Sequence, residues 1–291
     1  MSNYKGKTAV ISGGAEGIGL AIGRALGQQG MNVVLADIDT AQLAVAQEQL
    51  SAEQIPVLTL PLDVAVESQW QEVARQTLAH FGKVHMLVNN AGVGGIPGNA
   101  EHTDEAGWRW TIDVNLMGVV YGAQTFIPLL KQQGEGGWVI NVASMAGMAG
   151  TPFAGPYTAT KHAVVALSEA WREELKSREI KVAVLCPAFV KTRIHQSHRN
   201  RQARYAPDQP PSEKQMKMAS GAAVAVENGI DVNIIGKRVV EALDQGEFYI
   251  FSHPNYRPIT QQRAAAIDAA FERAAKSPLL QHIVDQEIVT F

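Results

Sequence analysis

The chain has 291 residues, 46% hydrophobic and 18% charged, which is enough apolar material for a large core and excludes general disorder. Its formal net charge of −3 excludes the basic excess that a nucleic-acid partner requires, and its one cysteine, Cys186, excludes an internal disulfide framework. No apolar run reaches the ~18–20 residues of a membrane span, and residues 1–7 lack the charged and apolar regions of a secretory signal. A cytoplasmic protein with no membrane partner is expected.

Short β-branched runs alternate with longer amphipathic stretches. Strands are predicted over 8–12, 32–36, 57–62, 86–89, 138–143, 181–186 and 248–251. Helices are predicted over 18–29, 40–51, 67–80, 108–131, 157–177 and 232–245. Most strand runs are continuously apolar, as in a parallel sheet covered on both faces. The alternation predicts an α/β fold of βαβ units: a Rossmann-type, doubly wound parallel sheet in a single domain. Two segments break the rhythm. Residues 188–231 separate a strand from the next helix and are predicted to form a lid with short helices of its own. Residues 252–291 form a C-terminal extension with an Ala-rich helix near 260–275.

The first strand runs into Ser12-Gly13-Gly14-Ala15-Glu16-Gly17-Ile18-Gly19 and then a helical pattern. Small residues let the backbone turn sharply and approach a pyrophosphate, and the helix N-terminus adds amide donors and a positive dipole end. Alone the turn is equally a plain tight turn; its place between strand and helix makes it a nucleotide site. The second strand ends near Asp37, whose carboxylate can accept from both adenosine ribose hydroxyls and would repel a 2′-phosphate. Ile38 follows, no Arg or Lys lies between Asp37 and Leu43, and Glu16 adds negative charge in the turn. The cofactor expected is therefore NAD rather than NADP. The bland alternative makes Asp37 and Asp39 turn and N-cap residues, a role that suits Asp39.

Further along come Asp63 after the third strand, Asn89-Asn90-Ala91-Gly92 after the fourth, Asn115 in the long fourth helix, then Ser144 and Tyr157-x-x-x-Lys161. In this order, each at an element end, these pieces resemble the short-chain dehydrogenase/reductase family over roughly residues 5–250. The resemblance implies one dinucleotide-binding catalytic domain over 1–291 and a catalytic set of Asn115, Ser144, Tyr157 and Lys161, with no metal. Tyr157 and Lys161 share a helix face, four residues apart, behind Pro156 at a helix start. A free tyrosine has a pKa near ~10. A neighbouring ammonium and the cationic nicotinamide favour phenolate, so that Tyr157 can exchange the alcohol proton. Ser144 can hydrogen-bond the reacting oxygen. By the resemblance Asn115 holds a water that links Lys161 to solvent. It also places Asp63 and Val64 at the adenine, Asn90, Ala91 and Gly92 along the cofactor, and Pro187, Val190 and Thr192 by the nicotinamide. Lys161 would contact the ribose as well.

Three departures stand out: Ser12 for the usual threonine, Ala188 for the usual glycine, and no C-terminal Gly-x-x-x-Asp-Gly-Gly strand. The last removes a segment on which the family's tetramers often rest; a homodimer or homotetramer is still implied. Between Lys191 and Lys217 there are seven Lys/Arg against two Asp/Glu, either a solvated surface or a guide for an anionic substrate. Met145, Met148, Phe153, Phe189, Met216 and Met218 suit a bulky hydrophobic or aromatic small molecule, or ordinary core. The lid, the 186–188 stretch and residues 249–254 are similar to bacterial dehydrogenases of benzylic and aryl secondary alcohols within the family. The expected function is NAD-dependent interconversion of a secondary alcohol and its ketone. A non-enzymatic NAD-binding sensor or scaffold, and an epimerase or dehydratase using NAD transiently, are the alternatives.

Overall fold

The apolar runs fold as seven strands among the described residues: β1 (Thr8–Ser12), β2 (Asn32–Asp37), β3 (Val57–Pro61), β4 (Met86–Asn89), β5 (Gly137–Val142), β6 (Ile180–Cys186) and β7 (Tyr249–Phe251). The structure is a computed structural model describing residues 4–99, 101, 103–207 and 210–288. The strands lie in the order β3-β2-β1-β4-β5-β6-β7. Every pair is parallel, with Ser12 opposite Ala36 and Asn89 opposite Asn141. This is the doubly wound sheet that the alternation predicts.

The connecting helices are α1 (Gly17–Gln28), α2 (Thr40–Ala52), α3 (Glu67–Phe81), α4 (Glu105–Ile112), α5 (Gly118–Gln133), α6 (Gly155–Leu175), α7 (Glu213–Glu227) and α8 (Val232–Gln245). On one face Ile11, Leu35, Val88 and Leu185 of the sheet join Leu26 of α1 and Val239 of α8 in one core. Elsewhere Trp70 of α3 and Phe126 of α5 are fully buried, edge to face, with ring centroids 6.2 Å apart. Because strands such as β1 and β5 are buried at every residue, their sequences show no alternation.

Most predicted ends are right to within one or two residues. The predicted helix over 108–131 is the exception. It starts earlier, because the Asp104 carboxylate caps it by accepting from the Gly107 N–H at 2.7 Å. It is also interrupted by a π turn, Asp113–Met117, between α4 and α5. An extra residue in a helix leaves the apolar period almost unchanged, so the pattern did not reveal it.

The described residues form two compact units, one up to Ser252 and one from His253 onward. The second contains α9 (Arg257–Ala275), three residues longer at its start than predicted, with Ile267 and Phe271 exposed.

Trp70→Ala removes a fully buried indole and the bond from its Nε1 to the Val64 carbonyl. It is expected to cost about 3–5 kcal/mol, read as a lower urea midpoint at unchanged slope.

Candidate active site

The order in which the strands are laid down reverses between the parallel strands β1 and β4, and in an open α/β sheet the crevice at the carboxyl ends of such a pair binds ligands. Ser12 and Asn90 stitch the two strands together there. The Ser12 hydroxyl accepts from the backbone N–H of Asn90 at 3.0 Å and of Ala91 at 3.2 Å. Asn90 Nδ2 donates to the carbonyls of Ser12 and Gly13, both at 2.9 Å. Gly13 has φ +63°, and a Cβ on it would lie 2.8 Å from Ala91 Cα. A Cβ on Gly19 would lie 2.2 Å from the Gly13 carbonyl oxygen. The turn is thus a cradle that side chains would fill. Glu16, the residue preceding α1, makes no side-chain bond to the helix, which leaves that N-terminus to an anion. Ile18 packs against the core below. These features fit a dinucleotide.

At the end of β2 the Asp37 carboxylate accepts from the Ala15 N–H on one oxygen and the Asp39 N–H on the other, both at 3.0 Å. Burial pushes its pKa up, against those two hydrogen bonds. Asp39 caps α2 through the Gln42 N–H, and Ile38 is half-buried beside it. After β3, Asp63 is buried, and one of its oxygens accepts from the Ala65 N–H at 3.1 Å. Val64 is buried against Gly118 of α5.

Ser144, Tyr157, Lys161 and Asn115 come together at the ends of β4 and β5. Ser144 follows β5, and its Oγ accepts from the Ala146 N–H at 3.1 Å. Gly155 and Pro156 open α6, which places Tyr157 in its first turn and Lys161 one turn on. Lys161 is 3% exposed; its Nζ donates to the Val142 carbonyl at 2.8 Å and lies 5.6 Å from the Tyr157 ring centroid. Burial brings its pKa down to about 8. Burial pushes the Tyr157 phenol up, and a hydrogen bond with Ser144 pulls the other way. The lowered tyrosine that the sequence suggests is not found in the chain alone: desolvation raises the phenol, and the Ser144 hydrogen bond opposes it only in part. Asn115, in the π turn and fully buried, accepts from the Val93 N–H at 2.8 Å and donates to the Val93 carbonyl at 2.9 Å. Gly92 lies beside both Asn115 and Lys161. Buried Cys186, its thiol pushed up to about 12, is a poor nucleophile here.

The segment after β6 covers this crevice. The Pro187 carbonyl accepts from the Met145 N–H at 2.9 Å, and Val190 is buried and bridges Ile230. Thr192, Arg193 and Lys191 line a cavity of about 390 Å³ together with Glu16 and Gly17 of the turn. The lid itself contains α7, as its length predicts. Three of its arginines are paired with carboxylates of the crevice. Arg193 and Arg199 each hold one oxygen of Glu16, and Arg193 also reaches Gln42 at 3.4 Å. Arg204 holds the second oxygen of Asp63 at 2.6 Å, and the Tyr205 hydroxyl donates to Asp113 at 2.8 Å. The sequence contained the basic excess but not its partners, which lie in turns up to 183 residues away. Glu16 is consequently not the unopposed negative charge expected from sequence; two guanidinium groups outweigh it.

The short chain dehydrogenase family model matches residues 7–203. A CLA biosynthesis dehydrogenase/reductase of Lactiplantibacillus plantarum is 32% identical over 92% of this chain and 95% of that protein. A C alpha-dehydrogenase of Sphingobium sp. is 30% identical over 92% of this chain and 87% of its own. The crystal structure of a short chain dehydrogenase/reductase from Burkholderia phymatum in complex with NAD superposes with a TM-score of 0.90, at 33% identity and over 100% of both chains. The chain belongs to the short-chain dehydrogenase/reductase family of oxidoreductases. Among the described residues no helix is long and apolar enough to cross a membrane, and no group of three or more His, Cys, Asp or Glu side chains could hold a metal.

Ser12→Ala leaves the N–H groups of Asn90 and Ala91 without their acceptor. A loss of about 1–3 kcal/mol is expected, measured by urea denaturation, whereas Ser12→Thr keeps the hydroxyl and stays near wild type.

Proposed function

We propose that this chain is an NAD-dependent oxidoreductase interconverting a secondary alcohol and its ketone, acting on a bulky hydrophobic or aromatic small molecule in the cytoplasm as a homodimer or homotetramer. Light scattering is the direct check on assembly. The observation that carries the reading is the meeting of Ser144, Tyr157 and Lys161 beside a glycine cradle shaped for a dinucleotide. The NAD of the Burkholderia phymatum structure and the dehydrogenase relatives support it.

NAD, when bound, supplies the hydride acceptor and a cationic ring. Asp37 would bind the adenosine ribose, the turn from Gly13 to Gly19 the pyrophosphate, and Thr192 and Val190 the nicotinamide end. Tyr157 takes the alcohol proton in oxidation and returns it in reduction. Ser144 orients the reacting oxygen and holds the phenol pKa down. Lys161 carries positive charge below about pH 8 and favours phenolate beside it. Asn115 fixes the loop at Val93 and, through it, the wall behind Lys161. Phe153, Phe189 and Met216 are exposed, where ordinary core would be covered, and suit an apolar substrate. Phe153 has φ +62°, a strained conformation held where its carbonyl accepts from the Gly98 N–H at 2.9 Å.

Tyr157→Phe is expected to lower turnover by at least ~10²-fold while NAD binding stays within about a few-fold. Oxidation needs the phenolate, and the phenol pKa is raised, so kcat/KM for oxidation should climb with pH and that for reduction should fall. In Ser144→Ala a group that lowers the phenol pKa is lost, so the rising limb should move to higher pH. Near wild-type turnover in Tyr157→Phe, or an unmoved limb in Ser144→Ala, would sink this assignment.

Cofactor choice rests on Asp37, since Glu16 is neutralised by Arg193 and Arg199. Asp37→Ser should weaken NAD by roughly ten- to a hundred-fold, from a lost hydrogen bond to a charged group, and improve NADP. The measurement is kcat/KM for both cofactors with one alcohol. Equal wild-type efficiency would show that the carboxylate is not at the ribose.

A further inference from the structure

Residues 193–205 run as a strap over the carboxyl ends of several strands, tied down wherever they cross one. Arg193 and Arg199 hold Glu16 after β1. The Ser197 hydroxyl accepts from the Gly94 N–H at 3.2 Å, after β4. The Arg201 guanidinium lies 5.0 Å from the Trp110 ring centroid on α4. Arg204 then reaches Asp63 after β3, and Tyr205, buried, donates to Asp113 in the π turn.

The strap therefore extends beyond the reacting centre. Were the pyrophosphate held at the glycine turn after β1 and the ribose at Asp37 after β2, the base would fall toward the end of β3, the next strand outward. Asp63 stands at that end. Its carboxylate is 9% exposed, and each oxygen already has one partner: the Ala65 N–H on Oδ1 and the Arg204 guanidinium on Oδ2. A carboxylate has about four acceptor sites, so about two are left for an amino group without displacing either partner. The Arg204 guanidinium is itself stacked at 4.7 Å over the Tyr205 ring, whose hydroxyl is anchored in turn. The Arg204 guanidinium is thus held from two sides, by a buried acid and by an anchored ring.

We propose that Arg204 is a positioning residue for the adenine end of the dinucleotide: it orients Asp63 and pins the strap across the site of the base. The proposal rests on the reading of the crevice as an NAD site. It makes release of the whole dinucleotide, but not binding of its nicotinamide half, depend on a residue bonded to Asp63. The bonded partners of Arg204 are Asp63 and the Tyr205 ring, not Ser144, Tyr157 or Lys161.

The test compares wild type, Arg204→Ala, Arg204→Gln and Arg204→Lys. Stopped-flow displacement gives the NADH dissociation rate, and fluorescence titration gives affinities for NADH and for reduced nicotinamide mononucleotide, which has no adenosine. Arg204→Ala is expected to release NADH roughly ten-fold faster and to bind the mononucleotide within about two-fold of wild type, with Arg204→Lys recovering part of the loss. Arg204→Gln, similar in length and uncharged, gives the same reading if the alanine variant does not fold. An NADH dissociation rate within about two-fold of wild type in the Ala or Gln variant overturns the proposal. So does an equal loss for NADH and the mononucleotide, which would mean general damage to the lid. A wild-type protein that binds no NADH overturns the cofactor reading itself, and the proposal with it.

Discussion

The approach of the Ser12–Gly13 backbone to Asn90 and Ala91 is the constraint on which the rest of the site depends. Two strands whose helices leave in opposite directions would splay apart at their ends without a cross-link. The Ser12 hydroxyl and the Asn90 amide supply one with four hydrogen bonds between 2.9 and 3.2 Å. The spacing they enforce is too small for a Cβ at Gly13 or Gly19. Glycine at both positions lets β1, β4 and the start of α1 pack this closely, and the N-terminus of α1, which has no side-chain cap, opens on the same turn. A serine in place of threonine keeps this arrangement because only the hydroxyl takes part in it.

The reacting end is built on a different principle, the burial of groups that prefer water. Lys161 is almost fully buried with one carbonyl partner, and its pKa falls to about 8. The same burial raises the Tyr157 phenol. Each group alone is moved toward its neutral form, so burial opposes phenolate at Tyr157 while it eases loss of the Lys161 proton. A cationic group bound beside the phenol would shift the balance toward phenolate. Hydrogen bonds from Asn115 to Val93 on both backbone groups keep the neighbouring loop from relaxing around the buried amine.

The sheet was legible because its strands are short, apolar and separated by turns with strong chemistry. The glycine turn, Asp37, Ser144 and the Tyr157–Lys161 pair are local patterns at element ends, and local patterns survive in one dimension. Pro156 marked the opening turn of α6 for the same reason. The π turn at Asn115 was not legible, since one extra residue shifts the apolar stripe too little to be seen. Nor were the lid's ion pairs. Sequence shows that Arg193, Arg199 and Arg204 are cations, but only the fold brings them to Glu16 and Asp63. Charge counting in the lid suggested a surface for solvent or for anionic substrates; it did not show that three of those cations are paired with the protein's own carboxylates.

That pairing changes what the acids of the cradle mean. A carboxylate in a phosphate-binding turn is unfavourable if it stands alone, because it meets the pyrophosphate as a like charge. Glu16 with two arginines carries a net charge of the opposite sign, and its position becomes a means of bringing cations from a distant segment to the turn. Asp63 does the same for Arg204. Asp37 does not: its oxygens take only backbone N–H groups among the hydrogen bonds of its turn, so no cation of the lid offsets its charge there. Three acids at the ends of β1, β2 and β3 thus divide into two that hold lid arginines and one bonded to backbone N–H groups, and only the partner of each carboxylate tells them apart.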